Sequence, residues 1–349
     1  MTGAHIAVIG SGSLALETVC ALALMPGEGL VSVVARSRQS AEHVAGIGAL
    51  RSWAVGSRRR FVGVGGADLP RAVDRLAAEV VVLMASLQSP WETRDRPSAW
   101  TRAMAHCGPA LTLPLQASLA LEIGAVTAGT GGLFVNACLP DLVNPLLSAA
   151  RVPVLTGVGN VGVLALGAAE ALQVPASSLT VLGNHIHLDQ PPEGVGEALL
   201  WTADGVPVDA GTALAAVRSL PRWSRNPLTG LVSAQVVAAL AHGRPLDAAA
   251  PGPHGLPGGY SIRIRDRELE PIPPPGWPLE RCVALNEEWN RADGVRIRNG
   301  SVEYTEPVQP VLARVAPGLE AGFRIKDTAR IAAELLKLRQ ALRREEEEG

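Results

Sequence analysis

The stretch from His5 to Leu24, His-Ile-Ala-Val-Ile-Gly-Ser-Gly-Ser-Leu-Ala-Leu-Glu-Thr-Val-Cys-Ala-Leu-Ala-Leu, limits the possible folds more than any other in the chain. A β-rich apolar run, residues 6–9, meets Gly10-Ser11-Gly12-Ser13 and passes directly into a helix-compatible run. That pattern reads as strand, tight turn, helix. Gly10 permits the turn, Gly12 lets a pyrophosphate approach the backbone, and Ala15 supplies the third small residue where helix and strand pack closely. Unpaired N–H groups at the start of the helix attract phosphate oxygens, and the helix dipole favours negative charge there. The same residues also satisfy an ordinary strand-to-helix turn, so the next strand has to decide between the two.

That strand, residues 31–35, is short and β-branched and stands at the spacing expected of a dinucleotide-binding unit. Its end is where such a fold holds the adenosine ribose, and the residues there are Arg36-Ser37-Arg38. An acidic residue would accept hydrogen bonds from a free 2′-hydroxyl, whereas arginine and serine can pair with a 2′-phosphate. NADP is therefore expected ahead of NAD, with an exposed basic turn as the ligand-free alternative. Helices over 39–50 and 69–78 then alternate with strands over 61–64 and 80–84. This alternation predicts an α/β fold, a Rossmann-type doubly wound parallel sheet over residues 1–148. An α+β second domain for substrate and dimer contacts is expected over 149–349. Arg58-Arg59-Arg60 reads as a solvated lead into a strand.

Ligands in such sheets bind at the carboxyl ends of the strands. Ala85 begins the loop leaving the fourth of them, next to the cofactor, and Arg94 and Arg96 lie farther along it. A guanidinium there can clamp a carboxylate or polarise a carbonyl, and a mobile loop can deliver it after substrate arrives. Asn136 ends the strand over 133–136, where it can hydrogen-bond the nicotinamide amide or a substrate oxygen, or cap the following helix.

Composition excludes several classes. A formal net charge of −2 and an aromatic content of 3% provide neither the field nor the stacking surfaces of a nucleic-acid binder. Hydrophobic residues make up 47%, but Pro, Gly or charge interrupts each apolar run before ~20 residues, so no membrane span is expected. Cys20, Cys107, Cys138 and Cys282 lack metal-ligand spacing and read as free thiols. With no signal-peptide pattern at the start, a cytoplasmic location is expected.

Taken in order, these pieces resemble the superfamily of lactate and malate dehydrogenases and the related NAD-dependent family 4 glycosidases. The resemblance rests on Gly10-Ser-Gly-Ser13, the arginines at 94 and 96, Val135-Asn136, Leu155-Thr-Gly-Val-Gly-Asn160 and Leu182-Gly-Asn-His185. In the dehydrogenases it implies a proton donor and acceptor at His185; in the glycosidases, a metal ligand. Both families depart from this chain around the glycine-rich strand end and the helix that follows it. The dehydrogenases carry there an aspartate that orients the histidine and an arginine that grips the substrate carboxylate, whereas residues 161–170 here are apolar up to Glu170. The glycosidases place a cysteine before the asparagine, where this chain has Gly159. A substrate other than lactate or malate is expected, and no metal is assigned.

Hydride transfer to C=O or C=N leaves an atom that needs a proton, and histidine suits that task near neutral pH. In Gly183-Asn184-His185-Ile186-His187 the two histidines share a face if the segment is extended, so they can share a site or chelate a metal. Proton transfer by His185 is the preferred reading, with His187 as a structural ring and Asp189 or Glu170 as candidate partners. Arg218, Arg222 and Arg225 form a basic cluster able to replace the missing clamp, or a solvated face. Ser233 lies within a small-residue helix, where it can approach substrate or bond its own backbone. An amphipathic helix over 326–344, with Ile331, Leu335, Leu338 and Leu342 on one stripe, is expected to pack on another domain or a second subunit.

The sequence thus points to an NADP-dependent (alternatively NAD-dependent) oxidoreductase acting on a small carbonyl or imine substrate, expected as a homo-oligomer. His185 is the acid/base and Asn136, Arg94 and Arg96 assist. A glycosidase-like enzyme using bound cofactor transiently, or a non-catalytic dinucleotide-binding protein, are the alternatives.

Overall fold

The computed structural model describes residues 3–92, 97–306 and 308–344. Six strands, β1 (His5–Ile9), β2 (Glu28–Ala35), β3 (Arg58–Gly65), β4 (Val80–Leu83), β5 (Leu133–Asn136) and β6 (Thr156–Gly157), form one sheet. Its order is β3-β2-β1-β4-β5-β6, with every pair parallel. The order reverses after β1, so the cleft beyond the carboxyl ends opens between β1 and β4.

Alternation along β1 shows why both faces must be covered. Ile6 and Val8 enter one core with helix α1 (Ser13–Leu24), helix α2 (Arg38–Ala54) and part of the helix Asn226–His242, while Ala7 and Ile9 enter the other. The second core is built from Leu69–Leu76, Ala99–Cys107, Pro109–Gly129 and Pro140–Ala149. Pro109–Gly129, at 21 residues, is by composition long and apolar enough to cross a bilayer, because neither Pro109 at its start nor Pro114 within it ends the helix. Most of it is buried against the sheet and its neighbours.

A second, antiparallel sheet runs β10-β11-β7-β8-β9, with β12 paired to β11. Its strands are β7 (Thr180–Gly183), β8 (Leu199–Trp201), β9 (Pro207–Val208), β10 (Leu246–Pro251), β11 (Gly259–Arg265) and β12 (Glu268–Ile272). The helix Asn160–Leu172 packs on this sheet, which is why it is apolar where a charged pair was sought. The chain then returns to the first unit. Strands β13 (Val295–Arg298), β14 (Ser301–Tyr304) and β15 (Phe323–Arg324), with the terminal helix Thr328–Arg344, share a core with Trp100, Leu111 and Leu146. Hydrophobic contact between residues 295–335 and 100–147 therefore crosses residue 149.

Arg59 corrects the reading of the arginine run as solvated. It lies inside β3 and is buried, donating from Nη1 to the Leu22 carbonyl near the end of α1, with Nη2 3.0 Å from Nε2 of His242. Strand alternation turns it inward, where the negative end of a helix meets its charge.

Candidate active site

The carboxyl ends of the parallel strands bring most of the expected cofactor residues to one edge. Gly10 follows β1 with φ +137°, and a Cβ placed there would come 2.8 Å from the Met84 carbonyl and 3.3 Å from the nitrogen of Ala85. Only glycine accepts that backbone and that approach. Gly12 differs: its backbone is extended, and a Cβ there would meet nothing within 4 Å. It caps α1 without any side-chain hydrogen bond to the helix end. A tight turn, an open space above a glycine and an uncapped helix N-terminus are what a pyrophosphate requires, so these residues fit a dinucleotide. Ser13 is exposed, and its Oγ accepts from Nδ2 of Asn226 at 2.8 Å, a contact made by the helix Asn226–His242.

At the end of β2, Arg36, Ser37 and Arg38 are all exposed. Ser37 is also the N-cap of α2, accepting from the Ser40 amide at 3.2 Å, and Arg38 pairs with Glu42 at 2.7 Å. Two of the three thus already have partners in the chain.

Asn136 does not present its amide to the cleft. It is fully buried; Nδ2 donates to the Cys138 carbonyl and to Oδ1 of Asn144, and Oδ1 accepts from the Cys138 amide. Both amide protons brace the turn after β5, a local duty that its place at a strand end does not distinguish from ligand contact. Arg94 and Arg96 lie outside the described residues. The loop before them is anchored: the Leu87 carbonyl and Gln88 accept from Arg339, and Glu92 accepts from Arg343, both on the terminal helix.

His185 stands between two carboxylates. Its amide donates to Oδ1 of Asp141 at 3.1 Å, its Nδ1 is 3.5 Å from Oδ2 of Asp141, and its Nε2 is 2.8 Å from Oδ2 of Asp293. The side contacts lack the alignment of good hydrogen bonds, so the pairing is chiefly electrostatic. Burial by itself disfavours a charged ring, but Asp293 and Asp141 outweigh it and hold the imidazolium well above the usual histidine range. Asp141 is in the first turn of Pro140–Ala149, just beyond the carboxyl end of β5, which ties the ring to the edge carrying Gly10 and Ala85. Asn290 secures the arrangement, donating to the Asp141 carbonyl at 3.1 Å and accepting from Asn184 at 2.8 Å.

Asp141, Asp293 and Asn290 escaped the sequence reading because nothing local marks them: each sits far along the chain from His185. The partners it did name lie elsewhere. Asp189 pairs with Arg225 at 2.6 Å, and Glu170 is exposed. His187 is a buried structural ring, with Nδ1 accepting from the Asn184 amide and Nε2 3.0 Å from the Gly196 carbonyl. Burial pushes it down to about 4, so it is neutral and Nε2 donates. The short helical turn His185–Leu188 replaces the extended segment that would have put both histidines on one face. Among the described residues no three His, Cys, Asp or Glu side chains are grouped to hold a metal.

The basic cluster also has a different task. Arg218 donates twice to the His187 carbonyl and pairs with Glu197, and Arg225 donates to the Leu188 carbonyl, so both fasten the histidine loop. Arg222 is exposed. Ser233 is buried with its Oγ unpartnered among the described residues, correcting the expected bond to its own helix.

Comparison with solved structures places the fold. A malate dehydrogenase from Plasmodium falciparum superposes with a TM-score of 0.55 at 13% identity, covering 95% of this chain and 99% of that one. A malate dehydrogenase from Archaeoglobus fulgidus in complex with NADH gives 0.54 at 13%, covering 82% and 98%. A lactate dehydrogenase from Eimeria maxima with NADH and oxamate gives 0.52 at 16%, covering 83% and 92%. The chain has the fold of lactate and malate dehydrogenases. No protein-family model matches it, and no curated protein matches it by sequence.

Proposed function

We propose that this protein is a nicotinamide-dinucleotide-dependent oxidoreductase that reduces a carbonyl or imine, or catalyses the reverse oxidation. The observation that carries the proposal is the Asp141–His185–Asp293 grouping at the same sheet edge as the glycine cradle. The NADH complexes among similarly folded proteins support the cofactor class.

Gly10, Gly12 and the start of α1 hold the pyrophosphate, and the reduced nicotinamide supplies a hydride when bound. His185 keeps a proton at Nε2 through neutral pH because its two carboxylates stabilise the charged ring. The substrate oxygen or nitrogen takes the place of Asp293 at Nε2 and receives that proton, while Asp141 stays beside Nδ1 and orients the ring. Asp141 thereby performs the orienting duty that the apolar helix Asn160–Leu172 cannot. The residues that grip a 2-hydroxy acid in the dehydrogenases are missing from that helix, which favours a substrate other than lactate or malate.

NADP is preferred to NAD because the end of β2 carries Arg36 and Arg38 and no acid, and Arg38 exchanges Glu42 for the 2′-phosphate. A purified sample assayed with NADPH and NADH against 2-oxo acids, ketones and cyclic imines tests the reading. Turnover should fall ~10²- to 10⁴-fold in His185→Gln with cofactor affinity retained. Turnover indifferent to that change removes His185 from the chemistry, and tighter binding of NAD removes the NADP preference. Both ring nitrogens of His185 face protein carboxylates, which favours a second reading, a dinucleotide-binding protein without turnover. Cofactor binding with no reduction across the panel would select it.

A further inference from the structure

A cavity of about 370 Å³ lies beside the His185 grouping, between Pro140–Ala149, the end of Leu279–Ala292 and β13. Leu142, Pro145, Pro257, Val295 and Ile297 line it together with three basic residues, Arg291, Arg296 and Arg298, and one acid, Glu287. Arg291 is 3.8 Å from the exposed Glu288, Arg296 is in register with Glu303 across the β13–β14 ladder, and Arg298 is exposed. The volume falls in the range of small-molecule sites, and apolar walls with a few converging charged groups are the usual lining of one.

We propose that this cavity binds a small anion with an apolar body, such as an aryl or alkyl phosphate or carboxylate, and that its occupation is felt at His185. Neither His185 nor the glycine cradle lines it, so it is a second site and stands independently of the redox reading. The coupling runs through two hydrogen bonds and the chain itself. Asn290, which lines the cavity, holds the Asp141 carbonyl; Gly258, next to the lining Pro257, donates to the same carbonyl at 3.3 Å; and Asp293 lies in the chain between the lining residues Arg291 and Val295. An anion that draws Arg291 and Arg296 inward shifts the turn carrying Asp293, and with it the carboxylate at Nε2 of His185.

Titration calorimetry of the full chain with phenylphosphate, inorganic phosphate and benzyl alcohol tests this, alongside NMR of the His185 ring. Phenylphosphate should bind more tightly than inorganic phosphate, benzyl alcohol should not bind, and the His185 resonances should move on saturation. Arg296→Gln and the exposed Arg298→Gln should each weaken binding about tenfold with an unchanged thermal midpoint. Gly12→Asp, which obstructs the phosphate cradle, should leave phenylphosphate binding intact. Absence of heat up to about 10 mM, equal binding to the arginine variants, or loss of binding in Gly12→Asp each overturns the site. Binding with unmoved His185 resonances overturns the coupling.

Discussion

Oδ2 of Asp293 lies 2.8 Å from Nε2 of His185, joining the C-terminal end of one helix to the loop after β7. The folded state therefore retains a proton that the unfolded chain releases near the ordinary histidine value. Stability from this pair is complete below that value and is lost as pH rises through the elevated folded one. Urea unfolding from neutral to alkaline pH should show a steeper decline in the native sequence than in Asp293→Asn, where one of the two carboxylates no longer holds the charge. Equal slopes would show that the contact does not hold the proton.

His187 has the opposite sign. Its folded value of about 4 is below the unfolded one of about 6.5, so stability is complete above 6.5 and falls with acidification toward 4. Between pH 7 and pH 5 the loss from this group is about 2 kcal/mol, and His187→Gln should remove that part of the slope in urea titrations.

Two glycines of the cradle should respond differently. Gly10→Ala forces a Cβ toward the Met84 carbonyl at positive φ and should cost about 2 kcal/mol. Gly12→Asp meets open space and provides a helix cap, raising stability by a few tenths of a kcal/mol. The added carboxylate should nevertheless abolish dinucleotide binding, measured by quenching of tryptophan fluorescence. A variant that still binds would place the phosphates elsewhere.

Ser233 buries a hydroxyl with no partner among the described residues in the middle of a helix. Ser233→Ala should stabilise the fold by about 1 kcal/mol, because it removes an unsatisfied group and improves helix propensity. A loss in chemical denaturation would mean that the hydroxyl is bonded after all.

Arg343 reaches Glu92, whose side chain is 5% exposed, from the terminal helix. Arg343→Ala leaves that carboxylate with fewer partners. The arginine itself is partly solvated, so the cost should be about 1–2 kcal/mol rather than that of a fully buried pair. Hydrogen exchange should quicken in the loop after β4 before it does in the sheet, and uniform exchange would show that the terminal helix does not hold the loop.

The strand periodicity, the alternation with helices and the glycine turn were legible in the sequence because each is a property of neighbours in the chain. So was the location of His185 in a loop after a buried strand. Arg59 shows the limit of such reading: three adjacent arginines look alike in sequence, and only the pleat decides that the middle one turns inward. Asn136 shows another, since a strand-end asparagine suits a ligand or a turn equally until its neighbours Cys138 and Asn144 are placed.

By itself, then, the sequence determined the parallel sheet and the glycine turn after its first strand, both dictated by backbone sterics and a repeat of two or 3.6 residues. Only the tertiary structure decided which charges surround His185. The helix Asn160–Leu172 is buried in apolar contacts, and Asp141 and Asp293 reach the ring from separate segments, one before and one after His185 in the chain. Coulombic attraction depends on separation in space, which no local pattern encodes.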